Sequence, residues 1–370
     1  MSELHKSGSP CGPLFAELCH RYVLMALKNL RAVIAGSFLG GIVLLGIVIG
    51  SLGGIHFDAE LTFYAIGSIL AASAIGYRFA LWAERPPTRR YLSRGYQFLR
   101  EGRQRPKKTI KRSLSIGTEK FVGQGFIRRR SIFRWIMHLC LSGGCTLAFA
   151  VTFPLVFGWV HFQPFLGDAT RYEVRVLGVA VDSFSVHSSK AWLMFNLLNI
   201  AGVIVVVGVV MALYRRLTDP GERATQSFSE DFVPLLLIMA VATTGLALTV
   251  SYKWFGGDAH GILAIIHLIC VLGLLFYIPF GKLFHMFQRI CSFCVGWYKQ
   301  EGAAGIQAHC ARCSQPFASR MHIDDLKVVL DQLGFDYRYG TDAEAGHYQE
   351  ICPACRRRLI ALNQGQAIGR

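Results

Sequence analysis

Acidic residues are scarce in this chain: 23 Asp and Glu stand against 39 Lys and Arg in 370 residues, and none lies well inside the long apolar runs. That absence argues against a transporter, whose pathway typically shows intramembrane acids, broken helices or a repeat relating its halves; no clear internal repeat is present either. A phosphate loop is missing. So are a glycine fingerprint following a strand and a serine or cysteine catalytic grouping, which leaves no soluble-enzyme constellation. Gly40 and Gly41, and Gly143 and Gly144, suit close helix packing in lipid instead. The start of the chain lacks the short charged region and A-x-A site of a secretory signal peptide. Lys6, Arg21, Lys28 and Arg31 precede the first apolar run, which is expected to remain as an anchor.

What the chain does have is apolar length. Hydrophobic residues make up 52% and charged residues only 17%, a balance that belongs to membrane proteins. Six runs, 32–54, 61–82, 135–160, 191–214, 232–252 and 261–284, each approach the ~20 residues needed to span hydrocarbon. The expected fold is an all-α membrane protein: a six-helix transmembrane bundle with a small cytoplasmic Cys-rich metal-ribbon tail.

Lys and Arg in the connections set the expected orientation. The segment 85–134 carries Arg89, Arg90, Arg103, Arg105, Lys107, Lys108, Lys111, Arg112, Arg128, Arg129 and Arg130 against only Glu101 and Glu119, so it should be cytoplasmic. Both termini and the connection with Arg215, Arg216 and Arg223 then share that side, while 55–60, 161–190 and 253–260 face out. The net charge of +16 invites a nucleic-acid reading. Without aromatic interleaving or a recognition motif, no nucleic-acid partner is expected. The segment suits anionic lipid headgroups, or a docking surface for an acidic soluble subunit.

His267 and His285 are 18 residues apart across an uncharged stretch. On one continuous helix that is five turns, about 27 Å along a single stripe, with one imidazole near each membrane face. Neutral imidazole is a common haem ligand, so the pattern points to a membrane-bound b-type cytochrome. His138, near the cytoplasmic start of the third apolar run, matches His285 in depth, and the two are candidate axial ligands of an inner haem. Arg134, Lys282 and Arg289 cluster there as candidate propionate partners. At the other end, His267 needs a partner, for which His161 and His187 are candidates. His161 is otherwise an interfacial residue beside Trp159, and Pro154 would have to re-aim the helix to bring it round. With a single haem, His267 would instead serve a quinone. His187 and Lys190 are candidate quinone contacts.

The stretch from 131 to 290 resembles the gamma subunit of respiratory nitrate reductase and its relatives, the membrane cytochrome b subunits of heterodisulfide reductase and of sulfite-reduction-associated complexes. The likeness rests on His138 following Arg134 and Trp135, on the segment 223–231 leading to Thr244, Gly245 and Leu246, and on His267 through Pro279, Gly281, Lys282 and His285. The resemblance implies haem b, one or two, exchange of electrons with quinone or quinol, and a soluble iron–sulfur or molybdenum redox subunit as partner in a bacterial or archaeal cytoplasmic membrane. In nitrate reductase the helix carrying the first histidine has a second one ten residues on, where this chain has Ala148. The expected organisation is therefore a cytoplasmic segment 1–31, a two-helix membrane anchor 32–84, a basic cytoplasmic loop 85–130, a four-helix cytochrome b-like domain 131–290 and a Cys-rich metal-binding tail 291–370.

Three C-x2-C pairs occupy the tail: Cys291 and Cys294, Cys310 and Cys313, Cys352 and Cys355. In a reducing compartment such pairs are metal ligands more often than disulfides. The last two pairs flank an apolar helical pattern at 323–333 and are the expected set, for zinc or for iron or an iron–sulfur cluster. Cys291 and Cys294 follow the inner haem ligand and read as redox thiols, as half of an intersubunit metal site, or as interfacial cysteines. Cys11, Cys19, Cys140, Cys145 and Cys270 read as isolated small residues. A haem-free membrane-anchored metal-ribbon scaffold is the alternative to the cytochrome.

Overall fold

The structure is a computed structural model that describes residues 12–104, 106–340 and 346–367. Lys6, Cys11 and Arg105 lie outside the described residues. In chain order the helices and strands are α1 (Gly12–Gly50), α2 (Thr62–Ala83), α3 (Pro86–Glu101), α4 (Pro106–Gly117), α5 (Gly125–Arg128), α6 (Ile132–Val156), β1 (Val160–Phe165), β2 (Asp168–Val176), β3 (Val179–Ser185), α7 (Ser189–Thr218), α8 (Pro220–Thr225), α9 (Val233–Trp254), α10 (His260–Phe280), α11 (His285–Gln288), α12 (Ile290–Ala304), β4 (Gln307–His309), β5 (Pro316–Ser319), α13 (Arg320–Gln332), β6 (Arg338–Tyr339), β7 (Gly346–His347) and α14 (Pro353–Ala367).

Six helical stretches among these residues are long and apolar enough to cross a membrane: Leu27–Gly50, Ala59–Ala83, Ile132–Val156, Ser189–Thr218, Phe228–Trp254 and His260–Phe280. Large apolar side chains such as Phe38, Val203, Ile262 and Ile269 are exposed on them, as lipid-facing positions require. The chain is a multi-pass membrane protein with an all-α bundle.

The chain divides into two compact units. The first runs to Leu81 and again from Phe126 to Met286. Its core is built from α6, α7, α9 and α10, with Val205, Val209, Ala212, Leu235 and Ile238 buried and Met137, Leu141, Leu274 and Leu283 packed on them. Small residues bring the helices close. A Cβ at Gly144 would meet Val205, one at Gly208 would meet Leu141, and one at Gly36 would meet the Ser73 carbonyl of α2.

The connection between α6 and α7 is a three-stranded antiparallel sheet in the order β1-β2-β3, with Phe162 paired to Val174 and Tyr172 to Phe184. The alternation of Val160, Phe162, Tyr172, Val174 and Phe184 toward one apolar cluster explains why this segment, read from the sequence as a plain connection, folds as a sheet.

The second unit holds Trp82–Gly125 and Phe287 onward. The basic segment is helical rather than a loop, and α3 and α4 both pack on α12. Gly95 admits Cys294 at this contact, and Gly296 admits Ile116. Asp325 of α13 is 4% exposed and binds α3: its Oδ1 accepts from Arg90 Nε at 2.7 Å and Arg94 Nη2 at 2.8 Å, and its Oδ2 accepts from the Tyr298 hydroxyl at 2.9 Å. Arg90, counted with the lipid-facing cations, and Arg94 beside it therefore hold the tail. Their contacts run over 200 residues in sequence, which charge counting cannot see.

Candidate functional site

The first unit has a charged end, defined by ion pairs that join the start of α6, the end of α7, the start of α9 and the end of α10. Arg134 approaches Asp219 at 3.5 Å and Glu222 at 4.0 Å, and Arg215 binds Glu222. Asp231, which also accepts from the Ser227 N–H at 2.9 Å, takes Arg216 at 2.9 Å and Lys282 at 2.5 Å. Of the candidate propionate cations, Arg134 and Lys282 thus have carboxylate partners within the protein. Arg289 belongs to the second unit, where burial pushes its pKa down.

His267 and His285 do not share one continuous helix. α10 ends at Phe280, and Gly281 continues in extended backbone, with a Cβ there falling 2.2 Å from the Tyr277 ring. Arg78 of α2 donates to the carbonyl of Pro279, one of the acceptors the helix end leaves without a turn to follow, and its guanidinium lies 4.5 Å over the Phe284 ring. His285 then opens the short α11. The five-turn stripe is replaced by a helix, a break and a new turn, because glycine after a proline-containing last turn releases the helix.

The Nδ1 partner of each histidine differs in kind. Thr244 Oγ1 lies 2.8 Å from His267 Nδ1 and 2.6 Å from the Ala240 carbonyl, so it accepts from Nδ1 when its single hydrogen is on that carbonyl. At His285 the partner of Nδ1 is the Lys282 carbonyl at 2.7 Å, which only accepts, so Nδ1 carries the proton and Nε2 keeps the lone pair. A fixed Nδ1–H donor with an Nε2 lone pair is how metal-ligating histidines are usually oriented. The His267 ring lies against α9 at Gly245, 3.3 Å from where a Cβ would sit. His138 is half-buried on α6, one residue from Met137 in the core. Neutral imidazole nitrogens are donors of the kind haem iron takes; they lie here on α6, α10 and α11.

The end of the bundle that carries the sheet is built differently. His161 lies on β1, where it stacks on His56 with ring centroids 4.1 Å apart, and both its ring nitrogens are buried without a hydrogen bond. His56 was missed in the sequence because nothing local marks it; the long-range hairpin contact creates the pair. Burial, then the neighbouring His56 and Arg175, push the His161 pKa down. Trp159 anchors this end by donating to the Gly46 carbonyl at 2.7 Å. His187 is exposed, and Lys190 binds Asp182 while lying 5.7 Å over the Phe184 ring.

In the second unit the sulfurs of Cys310, Cys313, Cys352 and Cys355 all lie within 4.8 Å of one another, a candidate metal centre. Cys291 and Cys294 stand apart on α12. Burial and the neighbouring Cys294 push the Cys291 thiol up to about 11, away from the thiolate that a ligand or redox pair needs.

Residues 124–296, just under half of the chain, match the family described as citrate utilization protein B. The matched stretch runs from the end of the basic segment through α10 into α12 and contains His138, His161, His267 and His285. No curated protein and no solved structure matches the chain.

Proposed function

We propose that this chain is the membrane cytochrome b subunit of a respiratory complex, passing electrons between quinone or quinol and a soluble iron–sulfur or molybdenum redox subunit. The observation that supports the reading is the hydrogen bond from His285 Nδ1 to the Lys282 carbonyl, which leaves the imidazole lone pair on Nε2, where a metal ligand needs it. His138 and His285 at the charged end, and His267 nearer the sheet end, would hold haem iron, while His161 lies in the sheet stacked on His56. Haem b would supply one-electron redox chemistry at membrane depth.

The chain's own residues orient the imidazoles through Thr244 and the Lys282 carbonyl. Small residues at Gly144 and Gly208 let α6 and α7 pack closely. Quinone would meet the sheet end near His187 and Lys190. The positive-charge bias favours both termini on the cytoplasmic side, and the resemblance to the cytochrome b relatives supplies the bacterial or archaeal cytoplasmic membrane. The resemblance to nitrate reductase gamma relatives supplies the soluble partner's class, and the match to citrate utilization protein B makes citrate utilization the process in which to look for it.

A reduced-minus-oxidised visible spectrum of the detergent-purified protein, with pyridine haemochrome quantitation, tests the proposal. Sharp b-type bands that fall on replacing His138 or His285 support it; protein made with ample haem and containing none sinks it. One observation favours a second reading, the haem-free scaffold: Arg134 and Lys282 already hold Asp219, Glu222 and Asp231, and would serve propionates only by releasing them.

A further inference from the structure

We infer that the four tail cysteines hold a single tetrahedral zinc ion, which acts as a closed structural staple of the second unit and takes no part in electron transfer. The spacing carries the nuclearity. A tetrahedron with metal–sulfur arms of ~2.3 Å has edges of ~3.8 Å. Cys313 Sγ and Cys352 Sγ, one from each pair, are 3.8 Å apart, and all four sulfurs fall within 4.8 Å of each other. An iron–sulfur cluster interposes several irons between its cysteine sulfurs and drives them further apart than one ion does. A single ion held by four thiolates in a tetrahedron suits zinc, and one iron in the same geometry is the rival that metal analysis separates.

The backbone around the sulfurs is shaped for thiolates. Cys310 Sγ accepts from the Arg312 N–H at 3.4 Å and the Cys352 N–H at 3.2 Å, and Cys352 Sγ accepts from the Cys355 N–H at 3.5 Å. The first knuckle closes by the Ser314 N–H donating to the Cys310 carbonyl at 2.9 Å, with Ser314 at φ +58°, and the Cys310 N–H donating back to the Gln315 carbonyl. The second is tied to it by the Ala311 N–H donating to the Glu350 carbonyl at 3.0 Å. On binding, the cysteines release their thiol protons to solvent and Zn²⁺ keeps its charge state throughout. With four sulfur ligands no position stays open for water or substrate, and zinc has no redox step.

The staple is needed because little else holds this part of the chain. Its sheets are pairs of strands two to four residues long. The buried cluster at the site consists of Cys310, Ile351 and Cys352 themselves, with Phe317, Tyr348 and Leu359 packed on them. Cores this small usually require a metal or disulfides. The ion also sets the register of α13. Glu350, whose carbonyl joins the two knuckles, binds Lys327 at 2.6 Å through its carboxylate, and Asp325 on the same helix holds Arg90 and Arg94 of α3.

The test uses the full chain purified in detergent without chelator. Elemental analysis should give one zinc per chain and no acid-labile sulfide; Cys313→Ser and Cys355→Ser should lose it, whereas Cys291→Ala with Cys294→Ala should keep it. Stripping zinc from the wild-type chain with a chelator should speed proteolysis between α12 and α14. One iron per chain, several irons with labile sulfide, or no metal at all would each overturn the inference. Haem measured on the same samples reads the cytochrome proposal separately, since zinc without haem defeats only that proposal and haem without zinc defeats only this one.

Discussion

Thr244 Oγ1 and His267 Nδ1 lie 2.8 Å apart in a hydrogen bond between two membrane helices, with the Ala240 carbonyl 2.6 Å from the same hydroxyl. Replacing Thr244 by Val keeps the shape and removes the partner of Nδ1, so nothing then holds the His267 proton off Nε2. Losing such an outer partner typically costs ~10–100-fold in metal affinity. Thr244→Val should reduce retention of the haem held by His267 by that order, and Thr244→Ser should restore it. Equal haem content and an unchanged redox titration in all three proteins would show that the bond is merely structural.

Gly50 and Gly41 lie on the same helix and differ in what a Cβ would meet. At Gly50 it would fall 1.9 Å from Trp159 Cδ1 and 2.9 Å from the Phe157 carbonyl, while at Gly41 it would meet nothing within 4 Å. Gly50→Ala should therefore displace the Trp159 indole from α1 and cost ~1–3 kcal/mol, the usual range for overpacking. Gly41→Ala should fall within ~0.5 kcal/mol of wild type. Thermal unfolding in detergent followed by Trp fluorescence checks both.

How much of this was legible beforehand depended on the range of the interaction. The six spans could be read because apolar length is local. The four-cysteine set could be read because each C-x2-C knuckle is local and only their pairing is distant. The stripe from His267 to His285 failed at Gly281, where the break depends on an extended glycine, Tyr277 and a capping arginine 201 residues away. The sheet from Val160 to Ser185 hid because its alternating apolar residues are interleaved along the strands with Arg171, Glu173, Arg175 and Asp182. The basic segment concealed two functions for one residue type: Arg90 and Arg94 tie down Asp325, whereas Lys107, Lys108 and Lys111 stay exposed on α4. Charge composition cannot separate them.

Asp325 makes the second unit sensitive to acid. Burial pushes its carboxyl up, but hydrogen bonds from Arg94, Arg90 and Tyr298 outweigh it and hold the pKa below the ordinary carboxylate range. A lowered folded pKa means that the stabilisation is complete above the unfolded carboxylate pKa and is lost as pH falls through the folded one. Asp325→Ala removes the shared acceptor of two guanidinium groups whose side chains stay 37% and 26% exposed, and should cost ~1–3 kcal/mol. Proteolysis of the tail at neutral pH should accelerate accordingly, and the acid-induced loss seen in wild type should flatten. A variant as resistant as wild type would show that Arg90 and Arg94 contribute nothing there.

The stacked pair His56 and His161 should respond in a different window. The His161 pKa is lowered by burial, by His56 and by Arg175, with Glu173 acting the other way. Near the ordinary histidine pKa of ~6.5 the unfolded chain therefore takes up this proton before the folded chain does, and stability at the sheet end falls as pH drops below it. His161→Gln should remove that part of the slope, read as the change of melting temperature with pH, while leaving haem content unchanged. If the variant instead loses haem, His161 is an axial ligand and the partner of His267 is found. If neither slope nor haem changes, the imidazole of His161 is already equally protonated in both states, and the stack is a packing contact between the α1–α2 loop and β1.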